Sequence, residues 1–275
     1  MRRTGGWRAA RRGASHVASA VLLPLLAGCA GGRVARVSPA DIPQLEAQLT
    51  QAPNNATLRS RYAAALFAAD RCDDATAEAR RVQSTLPADA VAALVIGQCQ
   101  ERREEFEGAL TSYRAYLAAY PNARGAAAIR ARELLVFRAH STRQARLALQ
   151  NEAQLAQQPG DPNTIAVLPL EIAGDSSYQS LSRGLAQILT SDLGLIQRFR
   201  LVERLQLGTL LDELQLAQGG RVDVSTAARV GRLMQAGRLV QGLAAIPPEG
   251  DVRLEATVVL PTGEVTSPET VTGRF

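Results

Sequence analysis

Gln158-Pro159-Gly160-Asp161-Pro162, followed at once by Asn163-Thr164-Ile165-Ala166-Val167-Leu168-Pro169-Leu170, is where the chain changes its pattern. Two prolines and a glycine within five residues cannot continue a helix, so this segment closes one structural regime. Upstream of it, apolar residues recur at helical spacing; downstream, they come in short β-type runs. The break predicts an α+β chain. Its amino-terminal part is all-α, and its second part, residues 162–275, is α/β, a mixed sheet covered by helices.

Upstream, residues 122–158 read as one connecting and capping helix, from about Ala123 to about Gln157. Before it lies a repeat. Pro53, Pro87 and Pro121 are evenly spaced, and Tyr62 and Ile96, Ala63 and Gly97, and Ala75 and Ala109 keep the same interval. Ser38-Pro39-Ala40-Asp41 reads as a helix start, with an N-cap, a proline in the first turn and an acid beside it. Ile42, Leu45 and Leu49 then share one face.

A 34-residue period of paired helices resembles the tetratricopeptide repeat over residues 38–121. Ile96-Gly97, Ala109, Tyr113 and Pro121 occupy that family's recurring positions. The first unit, with Tyr62-Ala63, Ala75, Ala79 and Pro87, fits less fully. Neither unit has the family's Trp, and Gln100 stands where its Tyr is usual. The resemblance implies a concave groove lined by Ser60, Ala64, Phe67, Leu94, Gln98, Glu101 and Arg102. This set lacks a basic clamp for a carboxylate tail, so the expected occupant is a mixed apolar and polar peptide from a protein partner.

Downstream, Leu181, Leu185, Ile188 and Leu189 share a helical face, Phe199-Arg200-Leu201-Val202 reads as a second strand, and Leu207, Leu210, Leu211 and Leu214 as a further helix. Ser225 reads as the N-cap of a helix using Ala228, Val230, Leu233 and Met234. Leu239 to Ile246 and Val252 to Leu260 read as a hairpin, with a last strand near Val265. Val252, Leu254, Ala256, Val258 and Leu260 alternate with Arg253, Glu255 and Thr257, giving one buried and one wet face.

This order, together with Arg198-Phe199-Arg200-Leu201-Val202-Glu203-Arg204, Ala227-Ala228-Arg229-Val230-Gly231-Arg232-Leu233 and Leu239-Val240-Gln241-Gly242, resembles the CsgG-like family over about residues 165–265. The amino-terminal domain of TolB and the LpoB lipoproteins read much the same at this level. The resemblance implies an outer-membrane lipoprotein that acts in envelope assembly or secretion, curli assembly being the namesake activity. Two extra amphipathic hairpins of barrel length, which a pore would need, are not found in the sequence. Three functions follow, in order: a non-enzymatic adaptor or assembly factor, a subunit of a curli-type secretion channel, and an LpoB-like activator of a peptidoglycan synthase. Homo-oligomerisation is left open.

The segment before Cys29 carries Arg2, Arg3, Arg8, Arg11 and Arg12 and no acid, then the apolar run Val21-Leu22-Leu23-Pro24-Leu25-Leu26. That run is too short to span a bilayer and fits a secretory signal over residues 1–28. Leu26-Ala27-Gly28-Cys29 resembles the lipobox of bacterial lipoproteins, which implies lipid on Cys29, with residues 29–37 as a tether. Ala30, rather than an Asp, follows the cysteine, so the enteric sorting rule points to the periplasmic face of the outer membrane.

Cleavage before Cys29 also resets the charge. The chain has 31 basic and 26 acidic residues, every basic one an Arg. Without the five signal arginines the two signs balance, and the clustered basic surface that nucleic-acid binding needs loses its support.

Catalytic chemistry is sparse. With no Lys, a Walker-type loop, a Schiff base and a Ser-Lys dyad are excluded. His140 is the lone histidine after the signal, and Asp73-Asp74 and Glu104-Glu105 are adjacent pairs that point to different helix faces. No enzyme activity, cofactor or metal site is expected. Cys72 and Cys99 are an even pair in an oxidising compartment. A bridge or two free thiols are the alternatives. Repeat spacing sets them out of step by roughly 10 Å along the helix axis, which favours the free thiols.

Overall fold

The computed structural model describes residues 37–216, 223–247 and 251–274, so Cys29, the signal and most of the tether lie outside the described residues. Val37–Phe275 forms one compact unit with its own buried clusters.

The helical part begins with a 3-10 turn at Pro39–Asp41, closed by a capping box between Ser38 and Asp41, with the Ser38 N–H donating to Asp41 Oδ2 at 2.7 Å. Helix α1 (Ile42–Gln51) follows, burying Leu45 and Leu49. Helices α2 (Ala56–Ala68) and α3 (Cys72–Thr85) form one hairpin, and α4 (Ala90–Arg102) and α5 (Phe106–Ala119) form a second. Equivalent helices of the two hairpins start one repeat period apart and have equal lengths. Asn55 and Asp89 cap α2 and α4 by accepting from the N–H groups of Leu58 and Ala92. Ala63, Ala75, Ala79 and Ala92 are buried together, and their small side chains let α2, α3 and α4 approach closely.

Helix α6 (Ala126–Gln150) starts after Gly125 and is followed by the short α7 (Glu152–Leu155). At its amino end Ile129 and Val136 pack with Tyr113 and Tyr116, in the core of the helical part. At its carboxyl end Ala145 enters the core of the sheet. The helix therefore ends earlier than the sequence suggests, near Gln150, and serves both halves.

The second part contains β1 (Asp161–Val167), β2 (Glu171–Gly174), α8 (Leu181–Leu193), β3 (Arg200–Leu201), α9 (Arg204–Glu213), α10 (Val224–Met234), β4 (Ala236–Ile246), β5 (Val252–Val259) and β6 (Glu269–Gly273). The strand order is β3-β1-β4-β5-β6, with β2 also pairing with β4. β1 runs parallel to β3 and β4, and β5 and β6 are antiparallel additions, so the sheet is mixed. Alternation assigns the faces. Ile165, Val167 and Val240 meet Ala186 and Leu189 of α8, whereas Ala166, Leu168 and Leu239 meet α9 and α10.

Four sequence expectations are corrected here. The run to Leu170 is a strand only as far as Val167; Pro169 supplies no N–H to a ladder, and a separate strand, β2, starts beyond the run at Glu171 and pairs with β4 further along. The N-cap of α10 is Asp223, whose Oδ1 accepts from the Thr226 N–H at 3.0 Å, with Ser225 inside the first turn. Val265 makes only an isolated bridge to Val259, and the last strand lies further on, at β6. Finally, Cys72 and Cys99 are bonded, with 5.4 Å between their Cα atoms. α3 and α4 run antiparallel, so the start of one lies beside the end of the other; same-sense repeat counting misses this.

Candidate protein-binding groove

The groove positions sit on two neighbouring helices. Ser60, Ala64 and Phe67 fall on one face of α2, and Leu94, Gln98 and Glu101 on one face of α4, by three- and four-residue spacing. Arg102 follows at the end of α4.

Three of the polar members, Ser60, Glu101 and Arg102, are held by partners within the fold. Ser60 is buried, and its hydroxyl donates to Asp89 Oδ1 at 2.9 Å, tying the α2 face to the cap of α4. Glu101 accepts from the Tyr113 hydroxyl at 2.6 Å and from Arg132 Nε at 2.9 Å, and Arg132 Nη2 contacts its second oxygen. Arg102 lies over the Phe67 ring at 3.9 Å, and its Nη1 donates to Asp70 Oδ1 at 2.6 Å and to the Phe67 carbonyl at 2.9 Å.

The electrostatics follow from these contacts. Burial, then the hydrogen bond to Glu101, pushes the Tyr113 hydroxyl far above the usual phenol range. Hydrogen bonding to Glu101 likewise raises Arg132 above its ordinary value. Nearby, Tyr62 is pushed up to about 12 by burial and by its 2.6 Å bond to Glu46. Gly97 makes room for the Tyr113 ring, since a Cβ there would lie 2.2 Å from Tyr113 Cε1.

With those groups engaged, the surface left over is mostly apolar. Ala64, Leu94 and Gln98 are half-buried, Val91, one turn before Leu94, is 40% exposed, and Leu135, one turn after Arg132 on α6, is 56% exposed. The sequence set brings together the α2 and α4 positions but omits Asp89, Arg132, Val91 and Leu135. Arg132 had a signal, since it stands one repeat period after Gln98. Cys72 and Cys99 lock α3 to α4 behind this surface.

Among the described residues, no group of three or more His, Cys, Asp or Glu side chains is placed to hold a metal ion, and no helix is long and apolar enough to cross a membrane.

Comparison with known proteins bears on the second part. Residues 147–244 match the family described as "Curli production assembly/transport component CsgG", from the end of α6 into β4. No curated protein matches the chain. Among solved structures, the LpoB C-terminal domain from Escherichia coli is similar at 17% identity and a TM-score of 0.36, over 45% of this chain and 95% of that one. The LpoB C-terminal domain from Salmonella enterica gives 18% identity and a TM-score of 0.32, over 45% and 93%. The NMR structure of E. coli LpoB gives 17% and 0.35, over 44% and 62%.

Proposed function

We propose that this chain is a non-enzymatic adaptor of the bacterial envelope. Lipid on Cys29 anchors it at the periplasmic face of the outer membrane, and its tetratricopeptide-like repeats offer a groove to an extended segment of a protein partner. The observation that carries this reading is the match of residues 147–244 to the CsgG family. The leftover groove surface supports it. Val91, Leu94, Ala64 and Leu135 supply apolar area, while Gln98 is the polar group not already bound within the fold. Such a strip suits a partner segment with alternating apolar and amide side chains. The non-enzymatic part rests on residue chemistry, namely the missing lysines and a single histidine beyond the signal.

The test is site-specific photo-crosslinking in living cells. A photoreactive residue at Val91 or Gln98 should capture an envelope protein, whereas one at Arg130, an exposed position whose Nη2 reaches the Pro121 carbonyl, should not. Equal capture at all three sites removes the groove from the proposal. Detergent-stable rings that conduct ions would replace the adaptor with a channel subunit. Intact-mass analysis showing an unmodified Cys29 would remove the anchor.

A further inference from the structure

The parallel strands of the second part create a feature that neither the groove nor the anchor uses. β1 and β3 lie side by side and point the same way. The chain leaving β1 passes through β2 to α8 on one face of the sheet, and the chain leaving β3 goes to α9 on the other. Where two such connections part, the carboxyl ends of the strands leave a crevice, the usual place for a ligand in a parallel sheet. A cavity of about 410 Å³ lies there, bounded by Val167 and Pro169 at the end of β1, Leu205 on α9 and the 45% exposed Leu134 of α6. That volume falls in the range of small-molecule sites.

Two further observations set the ligand's chemistry. Arg183 and Arg204 line the cavity with Asp212. Arg183 has no hydrogen-bond or ion-pair partner among the described residues, and Arg204 donates only to Gln187 Oε1, at 3.2 Å. Elsewhere Arg59, Arg132 and Arg229 all face carboxylates. Two guanidinium groups against one carboxylate leave a single uncompensated positive charge beside apolar walls. The second observation is Gly208, which lies inside α9 and lines the same cavity. Glycine weakens a helix relative to alanine, and it is usually retained where a neighbour comes close. Here a Cβ would meet nothing within 4 Å, whereas at Gly97 it would strike Tyr113. The glycine keeps space open rather than making room for packing.

We propose that this crevice binds a small amphiphilic anion, a compact apolar body carrying one carboxylate, sulfonate or phosphate group. The body lies against Leu134, Val167 and Leu205 beside Gly208, and the anion meets Arg183 and Arg204. This inference does not depend on the adaptor reading.

The test uses residues 37–275, the compact unit, and a dye pair that differs by charge. 1-Anilinonaphthalene-8-sulfonate has an aromatic body and one sulfonate, and N-phenyl-1-naphthylamine has the same body without it. Fluorescence titration should show saturable, single-site binding of the sulfonate, about tenfold tighter than the neutral dye. Arg183→Gln and Arg204→Gln should each weaken the sulfonate roughly tenfold and leave the neutral dye within about twofold. Gly208→Leu, which adds helix propensity and fills the space, should abolish both without lowering the melting temperature. Wild-type affinity in Gly208→Leu, unsaturable binding, or arginine variants that bind the sulfonate as the wild type does would each overturn the proposal. Should Gly208→Leu misfold, the two surface arginine variants still decide the matter.

Discussion

At Gly97 a single hydrogen sets the packing of the helical part. Replacing it with a methyl group pushes on Tyr113, whose hydroxyl helps hold Glu101. Gly97→Ala should therefore destabilise the fold by about 1–3 kcal/mol through overpacking, read from urea unfolding. Tyr113→Phe keeps the ring but removes the hydroxyl, and should cost about 1 kcal/mol because Arg132 still satisfies Glu101. A second residue pair reports on pH. Arg229 grips Glu152 through two hydrogen bonds, at 2.6 and 2.8 Å, and these hold the carboxyl below its usual range. The carboxylate is the form stabilised on folding. Its contribution is therefore full above the ordinary Glu range and disappears as the pH falls through the lowered value. Because both side chains are near or above one-third exposed, the pair contributes under about 1 kcal/mol. Glu152→Gln should be less stable than wild type at neutral pH, and the two should converge in strong acid. A gap that persists there would assign the difference to packing rather than charge.

Among the elements, the bonded cysteines carry the clearest expectation. Cys72 and Cys99 are 27 residues apart in sequence and join α3 to α4. Closing a loop of that length stabilises a fold by about 3 kcal/mol, mainly by restricting the unfolded chain. Reduction, or Cys72→Ser with Cys99→Ser, should lower the unfolding free energy extrapolated from a urea titration by that amount and leave the helical far-ultraviolet signal intact before the transition. Legibility also differed by element. Helix positions were readable because Ala63, Gly97, Ala75 and Ala109 repeat at one interval, and the hairpin of β4 and β5 because Val252 to Leu260 alternate. β2 was hidden because its pairing partner, β4, lies about seventy residues away, and no local pattern marks it. The closing of Glu101 by Arg132 was hidden for a similar reason. The two residues are 31 apart, and sequence alone does not reveal which arginine reaches which acid. The crevice beside Gly208 had no signature at all, since it depends on which faces α8 and α9 cover.

For the whole molecule, α6 makes one body from two architectures. Its first turns complete the helical core, and its last turns sit in the sheet core. Thermal unfolding of residues 37–275 should therefore follow one transition, coincident by far-ultraviolet circular dichroism and by a fluorophore placed in the sheet. Two separate steps would show that the halves are only tethered. His140→Pro, in the middle of α6, should weaken both halves by about 3 kcal/mol or more, because a proline there breaks the shared helix.

A stiff rod of 25 residues is common to both halves. Arg132 and Ala145 lie on that rod, one gripping Glu101 and the other wedged among Leu210 and Leu233. A change that moved the backbone of α6 in the helical core would also have to be accommodated in the sheet core, because the helix is common to both.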